Sequence, residues 1–240
     1  MTIQTEIITY QADDLMMISH FYFDDAVTGP RPAVLVFPEF PGLGDHAKSS
    51  ARRLATLGYA ALACDLHGNG QILSDHDVMK ALLATLRESP KRVRARAAGG
   101  LTALTARPEV NATKVAAIGY CFGGTMAMEL ARGGAPIQGV VVFHGGLGTP
   151  EPGAGKIRGK VLVCIGADDP SILPEQRVAF EKEMRDANVD WRMHIYGRVV
   201  HSFTISDAGK LGMPAFARYD ASAEARSWSE MRALFDEIFA

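Results

Sequence analysis

At 240 residues, with 48% hydrophobic and 22% charged side chains, the chain has the make-up of a folded globular protein and not of a disordered or fibrous one. Its 25 basic and 27 acidic residues leave a formal net charge of −2, so there is no general attraction to nucleic acid or to an anionic membrane surface. No stretch approaches the ~20 apolar residues of a membrane span, and residues 1–6 lack the basic-then-apolar order of a secretory signal.

Two β-rich segments, 5–10 and 15–23, flank the turn-like pair Asp13-Asp14 and predict an antiparallel hairpin. A short apolar run over 33–37 then reads as a strand buried on both faces. A helix over 46–57 follows, stopped by Gly58, and a second buried strand runs over 60–64. Helices over 75–87 and 91–106 are separated by Ser89-Pro90. The run Lys91-Arg92-Val93-Arg94-Ala95-Arg96 reads as a solvated helix face. Strands over 115–118, 139–143, 161–165 and 191–196 alternate with helices over 122–131 and 174–187, and a Gly/Pro-rich loop spans 145–159. The last helix, 224–239, carries an apolar stripe of Trp228, Met231, Phe235 and Ile238. This alternation predicts a single α/β domain over 1–240, with a mostly parallel, doubly wound sheet, helices on both faces and an antiparallel N-terminal hairpin.

Gly119-Tyr120-Cys121-Phe122-Gly123-Gly124 lies between a buried strand and a small-residue helix. That is the context of a nucleophile elbow, where a sharp turn exposes one side chain and the neighbouring glycines give it room. The helix N-terminus favours a thiolate, and the Phe122 amide is placed to meet a developing oxyanion. An acid and then a histidine should follow in the chain. Gly166-Ala167-Asp168-Asp169-Pro170 and His201 each come just after a strand, at the sheet edge where open α/β proteins place their sites. Asp169 is the expected acid; the doublet leaves Asp168 as its alternative. In this reading His201 takes the thiol proton and the acid fixes its tautomer.

These segments, with Pro38-Glu39-Phe40-Pro41-Gly42, Gly58-Tyr59-Ala60-Ala61, Cys64-Asp65-Leu66 and His201-Ser202-Phe203, resemble the dienelactone hydrolase family from the strand at Ala33 to the final helix. The resemblance implies an α/β-hydrolase with Cys121 as nucleophile, His201 as base and Asp169 as acid. It also implies that Glu39 contacts the resting cysteine and governs its ionisation, and that Phe40 supplies the second oxyanion-hole amide. The dienelactone-cleaving members hold the substrate carboxylate with two arginines, whose places are taken here by Asn69 and Ile205. Neither can make that charged contact. The expected substrate is therefore a small-molecule ester, lactone or thioester other than dienelactone, with no cofactor and no metal.

Phe37, Tyr120, His144 and Phe203 are expected to line the pocket, with Arg198 as a further substrate contact and His67 at the rim. His20, His46, His76 and His194 receive no role. Cys64 and Cys164 fall in apolar strands and read as small hydrophobes. An odd, sparse set of three cysteines points to reduced thiols and a cytoplasmic setting. A thiol-redox protein and a non-catalytic binding protein on the same fold are the competing readings.

Overall fold

The N-terminal hairpin forms because Asp13 and Asp14 both take left-handed backbone angles, with φ of 50° and 58°. This is the two-residue turn whose twist matches that of the flanking strands. It joins β1 (Ile3–Ala12) to β2 (Leu15–Asp24) in full antiparallel register. The computed structural model describes residues 2–153 and 156–240; residues 154 and 155, within the loop expected over 145–159, lie outside the described residues.

From the hairpin the chain enters β3 (Arg31–Phe37), α1 (Asp45–Thr56) and β4 (Ala60–Ala63). It then runs through α2 (His76–Arg87), α3 (Pro90–Thr105), β5 (Val110–Tyr120) and α4 (Phe122–Arg132). The remainder is β6 (Gly139–Phe143), β7 (Lys160–Gly166), α5 (Pro174–Asp186), β8 (Trp191–Tyr196) and α6 (Ala221–Phe239). The eight strands form one sheet in the order β1-β2-β4-β3-β5-β6-β7-β8, antiparallel through β2–β4 and parallel thereafter.

Side-chain alternation along the central strands divides the core in two. Leu35, Ala117, Val142 and Val163 pack with residues of α3, α4 and α5 on one face, while Val36, Ile118, Val141 and Leu162 pack with α1 and α6 on the other. The chain steps from β3 to β4 and then returns past β3 to β5. The strand order therefore reverses at β3 and β5, and the crevice beyond their carboxyl ends is where such sheets bind ligands. Glu39 follows β3 and Cys121 follows β5, with Phe37 and Gly119 in register. Topology alone brings the two side chains to one place. Among the described residues no helix is long and apolar enough to cross a membrane.

Two element boundaries differ from expectation. β5 begins at Val110, because Arg31 pairs with it ahead of a register shift. α6 begins at Ala221, where the Asp220 side chain caps the Ala223 amide. The basic run at the start of α3 is not simply a solvated face. Arg96 is buried, bonded to Asp13 and to the Leu66 carbonyl, and Arg94 pairs with Glu129 and Glu151. A second buried cation, Arg132, bonds Glu129 at 3.0 Å, Glu183 at 2.7 Å and the Leu147 carbonyl at 2.8 Å. Burial opposes ionisation of Glu183, but Arg132 outweighs it and holds the carboxyl below its ordinary range. Arg132→Met leaves Glu183 buried without its cation and Glu129 with Arg94 alone, so we expect a loss of about 3–5 kcal/mol, measured by urea unfolding.

Candidate active site

Cys121 has φ 54° and ψ −120°, outside the regions open to most side chains, and such a residue stores about 1–3 kcal/mol of strain. The surroundings fix it there. Its amide donates to the Phe143 carbonyl at 3.0 Å and to His144 Nδ1 at 3.1 Å, and its carbonyl accepts from the Gly124 amide at 3.0 Å. The flanking glycines are required by contact. A Cβ on Gly119 would lie 1.9 Å from the Gly123 oxygen, and one on Gly123 would lie 2.2 Å from the Phe37 oxygen. The result is a partly exposed thiol at the N-terminus of α4, where the helix dipole favours negative charge.

His201 follows β8 and is pinned by main-chain bonds to Phe216 and Arg218. Its Nδ1 lies 2.8 Å from Asp169 Oδ2, which leaves Nε2 unengaged by the acid, and His201 and Cys121 line the same cavity. Asp169 Oδ1 accepts from the Ser171 amide at 2.8 Å and hydroxyl at 2.6 Å. Burial pushes the Asp169 carboxyl up, but the bond and charge of His201 and the Ser171 donors outweigh that and hold it below its ordinary range. The adjacent Asp168 is exposed and only its amide is engaged, with the Val199 carbonyl. For His201 burial disfavours the charged ring, yet the negative charge on Cys121 and the Asp169 bond push it up to about 10.

Glu39, Cys121 and His201 open onto one cavity of about 390 Å³. Ile72, Ile205, Leu211 and Phe216 give it apolar walls, and the other ionisable residues lining it are Asp45, His46 and Asp207. Glu39 is bonded to His46, Nδ1 to Oε1 at 2.5 Å; among the described residues no hydrogen bond joins it to Cys121. Phe40 and Phe122 are buried with their rings edge-on at 5.3 Å. Neither of their amides has an acceptor among the described residues. His67 is buried and donates from Nε2 to the Phe40 carbonyl at 2.6 Å, which steadies that turn.

Several expected pocket residues lie elsewhere. Phe37, Tyr120 and Phe203 are fully buried in the core beneath the sheet edge, because strand alternation and the turn send their rings inward. Arg198 is exposed and outside the cavity lining, with φ 64° in the turn after β8. His144 is completely buried and acts on the elbow from below. An amide only donates, so His144 Nδ1 accepts from Cys121 and the ring proton sits on Nε2, 2.8 Å from the Thr204 hydroxyl. Burial, with the charges of His201 and His46, pushes its pKa well below the ordinary value, so this ring is neutral. Sequence reading missed His46, Ser171 and Thr204. Only the Ser171 contact, two residues from Asp169, is local enough to have been inferred.

A sequence profile described as the dienelactone hydrolase family matches residues 20–239. The chain belongs to the dienelactone hydrolase family. Among solved structures it is 46% identical, over the whole of both chains and with a TM-score of 0.95, to a dienelactone hydrolase-like promiscuous phosphotriesterase from metagenomic libraries. It is 26% identical to a protein of Saccharolobus solfataricus named "Putative carboxymethylenebutenolidase", over 87% of this chain and 90% of that one. A dienelactone hydrolase of Anabaena variabilis shares the fold, with 20% identity, a TM-score of 0.67 and coverage of 97% of this chain and 99% of that one. The family is one of α/β-hydrolases, and the chain is a hydrolase of that kind.

The raised His201 has a measurable consequence for this family member. The stability contributed by its protonated ring is complete below 6.5, the ordinary value, and fades as the pH rises through about 10. Alkylating Cys121 replaces an ionisable sulfur with a neutral thioether. We expect the His201 titration, followed by NMR of the imidazole, to move to lower pH after alkylation; an unchanged midpoint would remove Cys121 as the source of the charge.

Proposed function

We propose that the protein is a cysteine-dependent hydrolase of neutral carboxylic esters, lactones or thioesters that works through an acyl-cysteine. The observation that carries this reading is the Cys121–His201–Asp169 arrangement, with Nδ1 of the histidine held 2.8 Å from a buried carboxylate. Cys121 sulfur attacks the carbonyl carbon, and the C=O π electrons move to oxygen. The Phe40 and Phe122 amides stabilise that charge. When the tetrahedral species collapses, the bond to the leaving oxygen or sulfur breaks and the leaving group takes the proton from His201 Nε2. A water then gives its proton to His201 as its oxygen attacks the acyl carbon. Collapse releases the carboxylic acid and restores the thiolate. Asp169 keeps the imidazole oriented and stabilises its charged form. Glu39 faces the same cavity but takes no step in this sequence, and its partner is His46.

The substrate class follows from what faces the cavity. Ile205 occupies one of the two arginine positions and presents a hydrocarbon wall, while Asn69 is exposed and outside the lining. No lysine or arginine lines the cavity among the described residues, and the carboxylates facing it are Glu39, Asp45 and Asp207. A substrate carboxylate has no counter-ion there. Cys64 and Cys164 are buried, and burial pushes Cys164 up to about 12 and Cys64 higher still, so neither is suited to resolve an oxidised Cys121. A neutral phosphotriester is a second substrate class, favoured by the relative that bears that activity in its description and by the same uncharged cavity.

Cys121→Ala should lower turnover of a short p-nitrophenyl ester by about a thousandfold or more, and the wild-type protein should gain the acyl mass on Cys121 during turnover. Retention of wild-type turnover by the alanine protein would overturn the mechanism. Ile205→Arg should raise the ratio of kcat/KM for an anionic half-ester over its neutral methyl ester by about tenfold, since it restores one charge-assisted contact.

A further inference from the structure

His46 belongs to the first turn of α1 and lines the cavity beside Glu39. Its Nε2 lies 3.1 Å from the Thr204 carbonyl oxygen, which can only accept, so Nε2 carries a proton. Its Nδ1 lies 2.5 Å from Glu39 Oε1. Two bare lone pairs would repel at that separation, so one proton lies between nitrogen and oxygen. The pair is then imidazolium with carboxylate, or imidazole with carboxylic acid. Both forms have zero net charge. Tyr120 fixes the ring from the side, with centroids 4.4 Å apart, and is itself stacked on Phe143 at 5.0 Å.

We propose that His46 is a positioning residue that holds Glu39 away from Cys121 and cancels its charge, so that the resting sulfur is partnered by His201. This rests on the reading of Cys121 as the nucleophile. Without His46, the Glu39 carboxylate stays in the cavity that Cys121 opens onto. There it shares a proton with the sulfur or repels the thiolate, and either outcome reduces the free thiolate that reacts. The other charged or titratable groups facing this space are His201, Asp45 and Asp207, with His144 beneath the Cys121 amide. Among the described residues none of these is bonded to His46, whose side-chain partners are Glu39 and the Thr204 carbonyl.

The test is alkylation of Cys121 by iodoacetamide in the full chain, read by mass spectrometry of the peptides across a pH series. The buried Cys64 and Cys164 serve as internal references. His46→Gln can keep the Thr204 contact through its amide nitrogen but has nothing in the place of Nδ1. His46→Asn has a nitrogen in the place of Nδ1 but does not reach Thr204. We expect His46→Gln to slow alkylation by about tenfold near about pH 6, with the profile moved upward by about one unit. His46→Asn should stay within about threefold of wild type. The double variant His46→Gln/Glu39→Gln, which removes the released carboxylate, should return to the wild-type profile. A role for His46 only in bracing Thr204 gives the reverse order of the two single variants and no rescue, and that result overturns the proposal. A wild-type profile in His46→Gln also overturns it. The readout is sulfur reactivity and not turnover, so failure of the acyl-cysteine mechanism would appear in Cys121→Ala and leave these contrasts intact.

Discussion

The site depends on the backbone at Cys121. A side chain held at φ 54° and ψ −120° is stable only where neighbours determine the turn from both sides. β5 and α4 approach so closely there that Gly119 and Gly123 are nearly in contact, and the main chain after β3 closes the other side against Gly123. The same crowding places the Cys121 thiol at the helix N-terminus and brings the segment bearing Glu39 and Phe40 alongside it. Strain, helix dipole and the candidate oxyanion amides are thus consequences of one close packing of β3, β5 and α4.

Thr204 joins the parts that this packing leaves separate. It lies three residues beyond His201, on the same loop. Its hydroxyl receives the Nε2 proton of His144, whose Nδ1 accepts the Cys121 amide, and its carbonyl receives the Nε2 proton of His46, which holds Glu39. The loop that presents the imidazole to the sulfur therefore also sets the tautomer of the ring under the elbow and of the ring beside Glu39. A shift of residues 201–204 would disturb all three together. The left-handed φ of 57° at Ser202 is the bend that lets His201 and Thr204 act in different directions.

The central strands β3, β4, β6 and β7 were legible because they are short apolar runs buried on both faces, and each appears where such a run stands in the sequence. The Gly-X-Cys-X-Gly pattern was legible because close approach of backbones demands glycine whatever the rest of the chain does. The Asp169–His201 contact could be anticipated from chain order, since both residues follow parallel strands and reach the same edge. The histidine pairings could not. His46 meets Thr204 across 158 residues and His144 meets it across 60, and no local pattern encodes either. Phe37, Tyr120 and Phe203 misled for the opposite reason. They neighbour site residues along the chain, but strand alternation at Phe37 and Tyr120 and the turn at Phe203 put their rings in the core. The arginines of α3 looked like a charged surface, yet Arg96 reaches across to Asp13 at the hairpin turn, a tertiary contact that composition cannot show.

Charge within the cavity is organised in pairs. Glu39 and His46 share one proton and sum to zero, so they add no net charge to a space whose walls are Ile72, Ile205, Leu211 and Phe216. Asp207 is matched by Lys210 on its outer side at 2.6 Å. What remains for an entering molecule is an apolar surface with acidic groups facing it and, among the described residues, no lysine or arginine in the lining. An uncharged acyl group loses little on leaving water for such a space and gains contact with the hydrocarbon walls. An anion forfeits its hydration there and finds no lysine or arginine in the lining among the described residues. Discrimination against charge is therefore strongest at the ground state. The positive end of α4 and the backbone amides act later, when negative charge develops on the reacting oxygen.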